Sequence, residues 1–140
     1  MEARETVHGG TRIFQETSPL LYDTTQLALH RAIEGAGARH EALANNLANA
    51  NTPGYQRVDV DFHTALSAAL GSGGDRRGAV VGASIGAQAD RTAVMRADGS
   101  SVDIDAESAK LAANALEQQA AVQVARTRTA ILQAAMGTGG

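Results

Sequence analysis

The chain has no cysteine and no tryptophan, and only two phenylalanines, two tyrosines and two prolines in 140 residues. Without cysteine, disulfides and thiolate metal sites are excluded. Aromatics are scarce, and much of the 44% hydrophobic content is alanine. A large globular core is therefore not expected, because burial at roughly 25 cal/mol per Å² must offset chain entropy. Such a chain is expected to pack its helices against neighbours and to order fully only in an assembly. A dense basic block is missing too, and the net charge of −3 argues against nucleic acid as the main partner. No apolar run approaches the roughly 20 residues of a membrane span. The opening stretch MEARETVHGGTRIFQETS lacks the basic and apolar regions of a secretory signal, so export would use a route without a cleavable signal peptide.

What is present divides into four parts. Residues 1–17 are polar and read as a flexible N-terminal arm. Ser18 and Pro19 suit the cap and first position of a helix. From there Tyr22, Gln26, Leu29, Ile33, Ala36, His40, Leu43, Leu47 and Ala50 recur at steps of four and three, a coiled-coil-like seam. Gly35 and Gly37 weaken it by roughly 1 kcal/mol each relative to alanine, and a kink there is an alternative. The helix must stop before Pro53, because the residue preceding proline is pushed out of the helical region. Thr52-Pro53-Gly54-Tyr55 fits a type II turn. After it Val58, Val60 and Phe62 alternate with Arg57, Asp59 and Asp61, which reads as a short extended segment with one apolar and one charged, solvated face. Phe62, Ala65, Leu66, Ala69 and Leu70 then fall at helical spacing.

Residues 71–100 are glycine-rich and free of aromatics. They read as a flexible connection, with a weak hairpin around 80–85 or 93–96 as the only order expected. Residues 101–140 restore periodicity. Asp103, Asp105 and Glu107 favour a helix N-terminus, and Leu111, Ala115, Gln118, Val122, Ala125, Thr129, Leu132 and Met136 continue a four-three seam. The expected fold is mainly α. Two long terminal helices, about 19–50 and 104–136, pack as an antiparallel hairpin or coiled coil. Residues 18–70 and 101–136 form one structural domain. Leu43, Leu47, Val122 and Leu132 are expected on its buried faces.

Candidate chemistry is thin. His30, His40 and His63 lack metal-ligand spacing, and RHEAL has Ala44 where a second histidine of H-E-x-x-H would stand. GSGGDRRG lacks the Gly-Lys-Ser/Thr of a phosphate loop. Asp59 and Asp61 could pair as carboxylates, but a charged solvent face explains them. No enzyme activity, metal or cofactor is expected.

Four asparagines, Asn45, Asn46, Asn49 and Asn51, crowd the end of the first helix. With Pro53, Gly54 and Tyr55 they complete ALANNLANANTPGYQR, which resembles the N-terminal motif of the axial proteins of the bacterial flagellum, the rod and hook proteins. Asn46, Leu47, Ala48, Asn49, Asn51, Thr52, Pro53, Gly54 and Tyr55 match that pattern, and Gln56-Arg57 departs slightly. DGSSVDIDAESAKLAANALEQQA is similar to the C-terminal part of proximal-rod members, although Gln118 stands where an aromatic is common. The resemblance covers roughly 20–66 and 97–136. It implies a structural subunit that polymerises with itself and other rod proteins into a tube that transmits torque and encloses the export channel. It further implies export through the flagellar type III apparatus, contact with the export-gate adaptor, and a place in the periplasmic part of the basal body. Phe62-x-x-x-Leu66 resembles a gate-recognition pattern, although core packing explains both residues. Asparagine both donates and accepts, so the four asparagines are expected to bond across subunits rather than only cap the helix locally. Tyr55, Val58, Val60 and Phe62 would form a docking element beside the turn. The alternatives are another axial component, or a cytosolic helical-hairpin export chaperone or regulator.

Overall fold

The computed structural model describes residues 23–97 and 99–137. Helix α1 runs Thr24–Ala48; the Asp23 carboxylate caps it by accepting from the Gln26 N–H at 2.8 Å. The start expected at Ser18-Pro19, like the 1–17 arm and Tyr22, lies outside the described residues. α1 continues through Gly35 and Gly37 without a break. The reason is contact. A Cβ on Gly35 would fall 2.4 Å from the Phe62 ring, and one on Gly37 would meet the Gln118 amide at 3.6 Å. Gly35 therefore lets Phe62 approach the helix closely, whereas a methyl at Gly37 would make only ordinary contact.

After the Pro53-Gly54 turn comes strand β1, Val58–Asp59, then helix α2, Phe62–Leu70, capped by Asp61. Helix α3, Arg76–Gly82, is capped by Asp75, and strand β2 is Gln88–Ala89. β1 and β2 form a two-stranded antiparallel sheet, with Val58 opposite Ala89 and Asp59 opposite Gln88. Helix α4 then runs Ile104–Gly137. Its N-terminus is capped by Asp103, whose carboxylate accepts from Asp105 N–H at 3.0 Å and Ala106 N–H at 3.1 Å.

The glycine-rich stretch therefore departs from its reading as a flexible connection. Val80 is fully buried and Ala83 nearly so, packed with Ala69, Leu27 and Leu66. The Arg31 guanidinium holds the Ala83 carbonyl. Aspartate caps and small apolar residues supply local order that composition alone conceals. Neither hairpin expected there forms.

Three contacts fix the relation of α1 to α4: Arg128 with Asp23, Asn114 with Ala36, and Asn46 with Glu107. One number rises as the other falls, so the helices run in opposite directions. At 1.5 Å per residue α4 is about 51 Å long and the described α1 about 37 Å, so α4 continues from Thr129 to Gly137 past the start of α1. The facing stripe of α4 follows Leu111, Ala115, Gln118, Val122, Ala125 and Leu132, each half-buried, but Thr129 and Met136 are exposed and Arg128 takes the place of Thr129. A second core lies beside α1, where Ala36, Ala42, Val60 and Phe62 pack with Val58 and Ile85.

Candidate functional site

The turn Thr52–Tyr55 closes with Tyr55 N–H donating to the Thr52 carbonyl at 3.1 Å, and Gly54 has φ +72°. That positive φ is the one the third position of a type II turn requires. Against it packs a second turn. Gly99, at φ +78°, lies so that a Cβ would sit 3.5 Å from Gly54 Cα. Gly99 N–H donates to the Arg96 carbonyl at 2.9 Å, Ser101 N–H to the Tyr55 carbonyl at 3.1 Å, and the Ser100 hydroxyl to the Ala50 carbonyl at 3.2 Å. The end of α1, the turn and the lead-in to α4 are thus tied together by one backbone bond and one serine hydroxyl.

Asn46 is the hub beneath them and is fully buried. Its Nδ2 donates to the Val58 carbonyl at 2.7 Å and to Glu107 Oε2 at 2.8 Å. Its Oδ1 accepts from Val58 N–H at 2.9 Å and from the Tyr55 hydroxyl at 3.3 Å. One amide therefore serves both backbone groups of a strand residue, as a neighbouring strand would, and holds a carboxylate from α4. Only a side chain with both donor and acceptor can do this.

Arg57 completes the site. Its side chain is 5% exposed and that of Glu107 1%, and Nε donates to Glu107 Oε1 at 2.6 Å. The other guanidinium nitrogens bind Asp59 and Asp90. Lys110 reaches Glu107 Oε1 at 3.1 Å, and Arg39 reaches Asp59 at 3.1 Å. Burial works against the charge on Arg57, but its bonds to Glu107 and Asp59 outweigh that and raise its pKa. Burial likewise pushes Glu107 up, and the bonds from Arg57, Asn46 and Lys110 pull it below the ordinary carboxylate value. Asp59 is opposed by burial too and ends low through Arg57, the Val60 N–H and Arg39. Asp90 is held low first by Thr92 and then by Arg57. This is a structural ion network of matched charges, with a cavity of about 610 Å³ beside it lined by Arg57, Asp90, Val94, Ile104 and Lys110.

The residues singled out by sequence separate into three groups by burial. Leu43, Asn46, Val60 and Phe62 are buried within the subunit. Val60 and Phe62 therefore belong to the core instead of a docking face, since Phe62 fills the space that Gly35 leaves open. Leu47, Asn49, Tyr55, Val58, Val122 and Leu132 are half-buried, and Asn45, Asn51, Pro53 and Gly54 are exposed. Asn49 bonds within its own chain, donating to the Asn45 carbonyl at 2.9 Å and accepting from the Thr52 hydroxyl at 3.3 Å. Arg57 is the clear correction: alternation put it on a solvated face with Asp59 and Asp61, yet it is buried because Glu107 awaits it. His63 pairs with Glu117 at 2.9 Å, and no metal-binding group of three side chains occurs among the described residues. Among them, too, no helix is long and apolar enough to cross a membrane.

Sequence reasoning also passed over Asn114. It is buried, and its Nδ2 donates to the Ala36 carbonyl at 2.8 Å. The signal was available: Asn114 stands three residues after Leu111 and four before Gln118, in the apolar phase of α4. Lone asparagines in such seams commonly fix register.

A long antiparallel helix pair with exposed outer faces and a tied motif turn are the frame of a helical subunit. The flagella basal body rod protein family model matches residues 36–56, the second half of α1 and the turn. The chain is 35% identical over 101 residues to flagellar basal body rod protein FlgB of Salmonella typhimurium, covering 61% of this chain and 73% of that one. It is 38% identical over 96 residues to the FlgB of Escherichia coli, covering 58% and 70%, and equally to that of Shigella flexneri. The chain belongs to the flagellar basal body rod protein family. It is a structural rod component and not an enzyme, it assembles with other rod components, and its place is the basal body.

Proposed function

We propose that this protein is a proximal-rod subunit that polymerises with itself and with other rod proteins into the tube that transmits torque and encloses the export channel. The observation that carries this reading is α4. Leu116, Val124 and Ile131 stand exposed on the side away from α1, at steps of eight and seven, so α4 presents a second apolar stripe that a lone subunit leaves wet. The helix pair acts as a coiled coil only when such stripes meet between subunits. Asn45, Asn51, Pro53 and Gly54, exposed at one edge, are the parts of the motif free to touch a neighbour, while Asn46 and Phe62 hold that edge in place. The subunit reads as one domain in which the stretch between residues 70 and 101 packs with the helices on either side of it. It passes through the flagellar type III apparatus, meets the export-gate adaptor on the way, and resides in the periplasmic span of the rod. The test is a map of basal bodies purified from cells whose sole copy of the gene is tagged. Density for this chain at the base of the rod is expected; its recovery only from the cytosol defeats the proposal.

A further inference from the structure

Asn114 stands where an apolar residue would bind α1 better. It is 1% exposed, as is Ala36, whose carbonyl accepts from Asn114 Nδ2 at 2.8 Å. Asn114 Oδ1 is buried as well and has no hydrogen-bond partner. Half of the amide is thus removed from water without compensation, which is unfavourable. Leucine, close to asparagine in shape, would bury apolar surface at the same place. A polar group that lowers the stability of a helix seam is accounted for when it makes one pairing unique.

The pairing needs such a device. Around Asn114 the helices meet on small residues, Ala36 and Gly37 on α1 and Ala115 on α4. That contact has no large knob to lock into a hole, so it fixes neither the rotation of α4 about its axis nor its tilt against α1. Buried bonds fix both. Glu107, also 1% exposed, is held by Arg57 at 2.6 Å and by Asn46 of α1 at 2.8 Å. Asn114 follows it by one heptad, on the same stripe and about 10.5 Å further along α4. A stiff helix anchored at one point can pivot, whereas two anchors on one face define its direction. Further out, the Arg128–Asp23 pair is 31% and 36% exposed and holds only weakly.

The leverage on the far end is large. Crossing angles of packed helices scatter by about 15°. Ile131 lies about 36 Å along α4 from Glu107, so a swing of that size about Glu107 would carry it roughly 9 Å. Apolar side chains touch only within about 4.5 Å. The exposed stripe of Leu116, Val124 and Ile131 would then miss a neighbour placed to meet it.

We propose that Asn114 is a positioning residue: its bond to Ala36, acting with Glu107 a heptad before it, sets the direction of the distal half of α4 and so presents the outer stripe to the next subunit. The inference rests on the rod-subunit reading for the use of that stripe, but not for the positioning itself.

The chain has no cysteine, so a pair of spin labels can be attached at chosen sites. Thr25→Cys on α1 and Ala130→Cys on α4, both at exposed positions, report the distal separation of the two helices in the free full-length subunit. Asn114→Leu is expected to unfold at no lower denaturant concentration than its parent, yet to broaden the label-to-label distances by a spread on the order of 9 Å. Asn114→Ala, which cannot overfill the seam, should broaden them likewise. In cells both variants should give fewer assembled rods per secreted subunit. Distances unchanged in both variants overturn the proposal, because Asn114 would then be a local brace whatever its effect on stability. Broadened distances with rods as abundant as in wild type overturn the link from positioning to assembly. A wild-type chain that never enters basal bodies defeats the rod-subunit reading, and the distances in the free subunit still decide whether Asn114 positions α4.

Discussion

Arg57 brings one guanidinium to three carboxylates, and one of them, Glu107, is as buried as it is. A buried pair of this kind is weak evidence of net stabilisation, but removing one partner strands the other and costs about 3–5 kcal/mol. Arg57→Met and Glu107→Leu should each lower unfolding stability by that order. The double variant should lose much less than their sum, and additive losses in denaturant titrations would show that the two do not act as a unit. The acid response follows from the same contacts. Glu107, Asp59 and Asp90 have folded pKa values below their references of 4.5, 3.8 and 3.8. On acidification the unfolded chain therefore binds protons first. Their contribution is complete above about pH 4.5 and is lost as the pH falls through the lower folded values. Glu107→Gln should flatten the fall in stability between pH 5 and 3, a window set by these carboxylates; an unchanged slope would assign the acid response elsewhere. At the turn, Gly54→Ala meets no atom within 4 Å, so its cost is the positive φ alone, about 1–2 kcal/mol. Pro53→Ala loses only preorganisation, about 0.4–1 kcal/mol. If the exposed turn edge touches neighbouring subunits, Gly54→Ala should reduce assembled rods more than secreted subunit, and more than Pro53→Ala does. Normal rods and motility with Gly54→Ala would show that this geometry positions no interface.

Helices were legible in the sequence and the contacts between them much less so. Steps of four and three located α1 and α4, Phe62 began α2 where the spacing said, and the asparagine-rich end with Pro53-Gly54 marked the motif. What was missed has a physical pattern. α3 is seven residues long, too short for periodicity to register above its glycines. Arg57 and Glu107 lie 50 residues apart, and a local alternation cannot reveal that distant charges meet. Gly35 looked like a weakness because a helix-interior glycine costs about 1 kcal/mol, and only the packing shows what it admits. That reading yields a prediction. Gly35→Ala gains the helix propensity but drives a methyl into the Phe62 ring at 2.4 Å. Overpacking costs about 1–3 kcal/mol, so the net effect should be destabilising in thermal or denaturant unfolding. Pairing it with Phe62→Leu should recover part of the loss. A Gly35→Ala protein more stable than wild type would show that the ring moves aside freely.

As a whole molecule the subunit is organised around contacts it cannot complete alone. The described core is Leu43, Val60, Phe62, Val80 and Val102 with five alanines, and it gathers around the second half of α1, the sheet and the start of α4. Among the described residues, α4 beyond Glu117, which His63 of α2 reaches, packs on α1 along one side, while Leu116, Val124, Ile131 and Met136 are exposed. Cohesion in a free subunit should therefore be graded along the hairpin. Around Asn46, Glu107, Ala36 and Asn114, buried hydrogen bonds add to packing. Towards Arg128 and beyond, the cross-helix tie is the half-exposed pair with Asp23, worth at most about 1 kcal/mol at a surface. Amide exchange reports such gradients, since local opening draws on the least cohesive segments. In isolated subunit, the amides of α1 from Ala36 to Leu47 and of α4 from Lys110 to Gln118 should exchange slowest. Those from Val124 to Gly137 should exchange at least about tenfold faster, a gap of roughly 1.4 kcal/mol in opening free energy. On incorporation into rods the distal half of α4 should become as protected as the proximal half, because its outer stripe then meets another helix. Uniform strong protection along α4 in the free subunit would mean that the lone chain already buries that stripe, and the helix would then have no apolar face left for a neighbour.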